Sequence, residues 1–179
     1  MSKFDSRQIC IRVEATFDKK YDYDTLVRTI VDVTQRKKWD GNIAKTNHLH
    51  KLARNAIILH CISAKLPVIS IRDVLEKKFL LNLNNKPGEE EVLWFSSSVP
   101  EEIFPSSSSI VRATNLFCMI KISHLKDGSI MYKGYAQVNL DLFVNPIFLF
   151  KRFVGQKISA WYENITKFVQ NEMDKNQTM

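Results

Sequence analysis

Residues 8–17, QICIRVEATF, set Ile9, Ile11, Val13, Ala15 and Phe17 against Arg12 and Glu14. A period of two kept over the whole run predicts a half-buried β-strand. The period then changes. Leu26, Val27, Ile30, Val31 and Thr34 follow helical spacing, and Asp22 or Asp24 can cap a helix that ends near RKKWD, before Gly41. From Ile43 to about Asp141 the chain reads as consecutive strands, AKTNHLHKL, NAIILHCIS, ISIRDVLEKKFLLNL, EVLWFSSS, SIVRATNLFCMIKISHL and SIMYKGYAQVNLDLF. Asn, Gly and Pro in the separators ARN, AKLP, NNKPGEE, VPEEIFPSSS and KDG supply the turns that antiparallel connections need.

The last segment returns to helical spacing. Ile147, Phe150, Val154, Ile158, Trp161, Ile165 and Phe168 form one apolar stripe, with Asn145 as N-cap and Pro146 at the first helical position, where its missing N–H is harmless. Strand, helix, a meander of antiparallel strands and a long amphipathic helix together predict an α+β fold in which a curved sheet wraps the closing helix. The 179 residues, 45% hydrophobic, fit one domain spanning 1–179 with its core at about 8–173.

One strand breaks the alternation. In PVISIRDVLEKK, Arg72, Val74, Glu76 and Lys78 share one face and Asp73, Leu75 and Lys77 the other, so neither face is purely apolar. Such a strand lies at an edge or lines a space other than an ordinary core.

Charge and cysteine content narrow the function classes. A net charge of +7 favours anionic partners, but the basic runs QRKKW and KRF are too short for a nucleic-acid tract, so no nucleic acid is expected. Cys10, Cys61 and Cys118 are far apart and lack CxxC spacing, which predicts reduced thiols in the cytosol and no thiolate metal site. No signal peptide or spanning segment is read from the sequence. GxSxG, P-loop, GxGxxG and HExxH motifs are absent, so no cofactor is expected. His48 and His50 read as polar strand residues, His60 and His124 as hydrogen-bonded core or cavity residues, Trp39 as a core anchor and Asp40 as a turn former. His60 with Glu76 is the nearest approach to an acid–base pair.

Two segments combine apolar tips with cations: Lys65 beside Leu66, Pro67, Val68 and Ile69, and PIFLFKRFV, where Phe148 and Phe153 flank Lys151 and Arg152. Together they read as two membrane-facing lips.

The chain resembles the START domain, the lipid-transfer module of the helix-grip superfamily, from about Gln8 to Val169. The residues that carry the resemblance are Arg36 with KKWD at 36–40, RD at 72–73, VP at 99–100, SIVRA at 109–113, YKGYAQVNLDLFVNP at 132–146 and the closing helix. Full-length START domains carry a further helix and hairpin before the strand matching Gln8–Phe17, so a shortened member is expected. The resemblance implies a U-shaped antiparallel sheet gripping the last helix around a tunnel for one lipid.

In such domains a cation six residues after the RD arginine points into the tunnel, and Lys78 holds that place here. The acidic residue that pairs with it in several members corresponds to Cys61, which leaves Glu76 or an anionic ligand to neutralise Lys78; a snorkelling edge lysine is the alternative. Arg112 pairs with Asp73 or faces a headgroup, and Arg72 with Asp73 reads as a structural bridge at the loop end. With Arg72, Arg112, His60, Cys61 and Glu76, the expected lipid-contacting set includes Asn115, Phe117, Met119, Tyr135, Val154, Ile158 and Trp161. The function implied is non-enzymatic: a monomer that holds one lipid and touches anionic membranes transiently. A soluble small-molecule carrier or sensor on the same fold is the alternative.

Overall fold

The computed structural model describes residues 8–65, 70–84, 86–107, 109–142 and 147–177, with only the backbone of 48, 84, 147–154 and 177. Strand β1 (Gln8–Phe17) alternates as its sequence predicts, Cys10, Arg12, Glu14 and Thr16 being exposed while Phe17 is fully buried.

The expected single helix is two, α1 (Tyr23–Val31) and α2 (Val33–Trp39). Asp32 separates them. Its backbone is extended, at φ −74° and ψ 108°, and its side chain accepts from Thr34 N, so it ends one helix and N-caps the next. Asp22 caps α1 by accepting from Thr25 N.

Strands β2 (Ile43–Ala53), β3 (Ala56–Ser63), β4 (Arg72–Asn84), β5 (Glu91–Ser98), β6 (Val111–Arg112), β7 (Thr114–His124) and β8 (Ile130–Asn139) follow, then helix α3 (Ile147–Gln177). The sheet is eight-stranded, in the order β1-β8-β7-β5-β4-β3-β2, with β6 running parallel to the start of β4. All other pairings are antiparallel. The first strand therefore joins the last, and α1 and α2 carry the chain from β1 at one edge to β2 at the other.

Inside this curled sheet, Ile165 and Val169 of α3 are fully buried with Phe17, Leu26, Ile30, Trp94, Ile122, Ile130 and Tyr132. Each such side chain contributes roughly 1.5–3 kcal/mol of hydrophobic stabilisation. Trp39 is anchored by its indole N–H donating to Thr29 O at 3.1 Å and lies edge-on to Trp161, as expected of a core residue. Asn145 and Pro146, the expected start of the last helix, lie outside the described residues. Among the described residues no helix is long and apolar enough to cross a membrane.

Candidate functional site

Above this core the concave face holds a cavity of about 280 Å³ that is open to solvent. Strand alternation decides what lines it. In β4, Val74, Glu76 and Lys78 point inward, opposed across the ladders by Cys61 of β3 and Ser96 of β5, and Trp94, Cys118, Ile120, Tyr132 and Val138 complete much of the wall. The strand with charges on both faces thus borders a space, and its inward charges meet each other.

Lys78 Nζ lies 2.8 Å from Glu76 Oε1 and 4.4 Å from the centre of the Trp94 ring. Burial alone would push the Glu76 carboxyl up; the Lys78 ammonium, with hydrogen bonds from Lys78, Asn115 and Ser96, outweighs it and holds the group below its usual value. Asn115 Nδ2 donates to Glu76 Oε2 at 2.8 Å and to Ser96 Oγ at 3.0 Å. Arg36 of α2 reaches the same wall, 5.8 Å from the Trp94 ring, with Nε donating to Asp40 Oδ2 at 3.0 Å. Asp40, besides forming the turn by accepting from Asn42 N, is therefore the counter-ion of a cavity-lining arginine. Burial pushes the Cys61 and Cys118 thiols and the Tyr132 phenol up, so they stay neutral.

The opposite, convex face holds a second polar cluster. Arg112 grips Asp73 with two bonds, Nε to Oδ1 at 2.9 Å and Nη2 to Oδ2 at 2.8 Å, and a third N–H donates to Phe104 O. His60 Nε2 lies 2.8 Å from Asp73 Oδ2. A carboxylate only accepts, so Nε2 carries the proton and Nδ1 accepts from Asn47 Nδ2 at 3.1 Å. These bonds outweigh the desolvation that would raise Asp73 and hold its carboxyl below the usual range. The cluster holds Phe104 against this face, its carbonyl accepting from Arg112 and its ring 4.6 Å from His60.

Several expected placements change accordingly. His60 and Glu76 do not converge: His60 pairs with Leu75 in the β3–β4 ladder and faces outward, while Glu76 faces inward, so the acid–base pair does not exist. Arg112 meets Asp73, and Arg72 does not. Instead Arg72 donates from Nε to Leu140 O at 2.8 Å and from Nη1 to Ser70 O at 2.9 Å and to Ser70 Oγ. His60, Arg72 and Arg112 are thus engaged by the protein away from the cavity wall.

Phe117 and Met119 were expected among the lipid-contacting residues along with Asn115, with the strand register left open. A β-bulge between Asn115 and Phe117 adds one residue, so Asn115 and Cys118 face the cavity while Phe117, 42% exposed, packs 6.2 Å from Phe95 on the convex side. Met119 pairs with Tyr135 on that side. Tyr135 borders the cavity between Gly134 and Ala136, but its ring carries the Arg12 guanidinium at 5.7 Å on the outer face. Ile158 is half-buried outside the cavity lining, and Trp161 packs behind the wall, 5.1 Å from Tyr132. Lys65 is exposed. Leu66 and Val68 lie outside the described residues, as do the side chains of Phe148, Lys151, Arg152, Phe153 and Val154.

Arg36, Trp94, Ser96, Cys118 and Tyr132 are cavity residues that sequence reasoning missed. For Arg36, three residues before the core anchor Trp39, a signal existed: an i,i+4 partner at Asp40. Among the described residues, no three His, Cys, Asp or Glu gather where they could hold a metal ion.

The family model for the START domain matches residues 2–170. Among solved structures, the chain is similar to human StAR-related lipid transfer protein 5, with a TM-score of 0.79 at 16% identity over 92% of this chain and 76% of that one. Human STARD10 superposes with a TM-score of 0.75 at 19% identity, covering 96% and 68% of the two chains. A STAR-related lipid transfer protein from Xanthomonas axonopodis gives 0.65 at 15% identity, covering 90% and 85%. Sequence comparison with curated proteins gives no match.

Proposed function

Since the chain belongs to the START domain family, and so to lipid-binding domains in the general sense, we propose that it holds one lipid in the cavity beneath its sheet and transfers it between anionic membranes. The observation that carries this reading is the concave cavity itself: apolar side chains around the Lys78–Glu76 ion pair, in a fold otherwise packed with core residues. Such a lining withdraws an acyl chain or ring system from water at roughly 0.8 kcal/mol per buried methylene and orients it by a few polar contacts.

Catalysis is not part of the reading. The one candidate acid–base pair is split between the two faces of the sheet, and Glu76 is held by Lys78 and Asn115. Docking is assigned to the end of the molecule where Arg72 bonds both Ser70 and Leu140, with Lys65 exposed at the end of β3. The sequences Leu66 to Val68 and Phe148 to Phe153, with Lys151 and Arg152, supply the apolar and cationic residues for that contact. The protein works as a monomer in the cytosol, meeting the bilayer transiently.

The test is native mass spectrometry after incubation with mixed liposomes and repurification, with bound species identified by fragmentation. One lipid per chain is expected. A folded protein that emerges empty from every lipid class offered would sink the reading, and a compact soluble ligand retained in its place would favour the small-molecule carrier.

A further inference from the structure

Alternation along β4 sends Glu76 and Lys78 into the cavity and leaves Phe79, Leu81 and Leu83 on the convex face, where they join an apolar band. Phe79 is opposed to Phe95 and Leu81 to Leu93 across the β4–β5 ladder, and the Phe117 ring of β7 lies 6.2 Å from that of Phe95. Phe79 is 37% exposed, Leu81 40%, Leu83 52% and Phe117 42%. Exposed apolar residues scattered singly need no explanation, but neighbours joined across three adjacent strands mark an interaction surface.

The footprint selects the shape of the partner. Cys118 pairs with Ser96, so Phe117 stands level with Ser97 and Lys77, and from Lys77 to Leu83 is six residues of strand, or about 20 Å. From β4 to β7 is two strand spacings, or about 10 Å. An α-helix is about 10 Å wide and covers about 20 Å in roughly 13 residues.

The margin selects its charge. Lys77 is exposed at one end of the band, and on the β7–β8 side Lys121 and Lys133 are directly opposed. Glu91 lies 2.6 Å from Lys121, while Glu14, opposite Lys133, is held by Arg12 at 2.7 Å, so cations outnumber carboxylates here. A second copy laid face to face would set this basic margin against itself, which is costly, and a flat bilayer meets a convex face poorly.

We propose that the convex face docks an amphipathic helix of a partner protein, about 13 residues long, with its apolar stripe along β4 and β5 and acidic residues on its flanks. The sheet separates this site from the cavity. A partner bound here holds the protein without obstructing the cavity or the end assigned to the bilayer.

The experiment titrates the full chain with fluorescein-labelled peptides of about 15 residues, each kept helical by a lactam bridge, and reads fluorescence anisotropy. One peptide carries leucines at i, i+3, i+4 and i+7 spacing with glutamates on the flanks; the second has lysines for the glutamates; the third is the first with its stripe scrambled. The glutamate peptide should bind at least about tenfold more tightly than either control. Phe79→Ser with Phe117→Ser should weaken it about tenfold and leave the lipid retained per chain unchanged. No binding, a control peptide bound equally well, or binding unaffected by the two serines overturns the inference. So does a wild-type dimer in sedimentation velocity, or binding to phosphatidylserine vesicles, that the double variant loses, since the face would then belong to a second copy or to a bilayer. If the double variant does not fold, NMR shifts of the labelled wild-type chain decide: changes at Phe79, Leu81 and Phe95 support the site, and changes confined elsewhere overturn it.

Discussion

Lys78 is buried with Glu76 2.8 Å away, and removing either partner alone leaves the other buried and unpaired. Breaking such a pair costs about 3–5 kcal/mol, whereas replacing both partners by apolar groups of similar volume is often close to neutral. Glu76→Leu should therefore lose several kcal/mol in urea unfolding, and Glu76→Leu with Lys78→Met should recover most of it; equal losses in both would show that the pair is not the source. The same carboxylates set the acid limit. Glu76 and Asp73 are held below their ordinary values of 4.5 and 3.8, so their stabilisation is complete above those values and drains away as pH falls through the lower folded-state values. Thermal midpoints followed from pH 7 to pH 3 should hold down to about 4.5 and then drop, less steeply in Glu76→Gln. A third residue is fixed by space. A Cβ on Gly134 would lie 2.9 Å from the Tyr132 hydroxyl oxygen and 3.1 Å from its ring, so Gly134→Ala must displace a buried tyrosine that lines the cavity, for a loss of about 1–3 kcal/mol in the same unfolding assay. Glu76 facing Lys78 was readable from a spacing of two. Asn115 facing Glu76 was not, since the two are 39 residues apart and meet through two strand registers.

Element types followed from periodicity, and element joints did not. The period of two in β1 and the turn residues between later strands were enough to predict an antiparallel sheet, because each reports a local preference. Asp32 defeats the same logic: the apolar spacing runs past it without interruption, and only the capping geometry makes two helices of one pattern. Asp32→Ala should cost about 1 kcal/mol by removing the cap of α2, read as a lower urea midpoint with an unchanged slope; a neutral result would mean that Thr34 and the packing of Trp39 hold α2 without it. The bulge in β7 is the costlier omission. One extra residue after Asn115 exchanged the faces of Phe117 and Cys118, so Phe117 and Met119 lie on the convex side; the Tyr135 ring of β8 is there by simple alternation. Nothing in TNLFCMI announces a bulge, because Leu, Phe, Cys and Met are compatible with either face.

At the scale of the whole molecule, the proposed docking draws on the net charge of +7 and on the joint that Arg72 makes between Ser70 and Leu140. In the proposed docking, cations and apolar residues from loops far apart in sequence, the exposed Lys65 among them, would meet one bilayer together. Each basic residue held at an anionic surface adds about 1 kcal/mol, screened beyond about 10 Å at ordinary salt, while Phe148 and Phe153 would enter the interface by their apolar area. Replacing both phenylalanines with serine should slow lipid exchange between phosphatidylserine-containing vesicles by about tenfold or more, because roughly 1.5 kcal/mol of interfacial burial per ring is lost. The amount of lipid bound per chain in native mass spectrometry should not change, since that quantity reports the cavity and not the approach to the membrane. Raising salt should slow exchange in the wild type and in the double variant alike, because the cations remain in both. Exchange rates unaffected by the serines but still sensitive to salt would move the docking face elsewhere on the basic surface; unaffected by either, they would mean that the protein does not deliver its cargo by touching the bilayer.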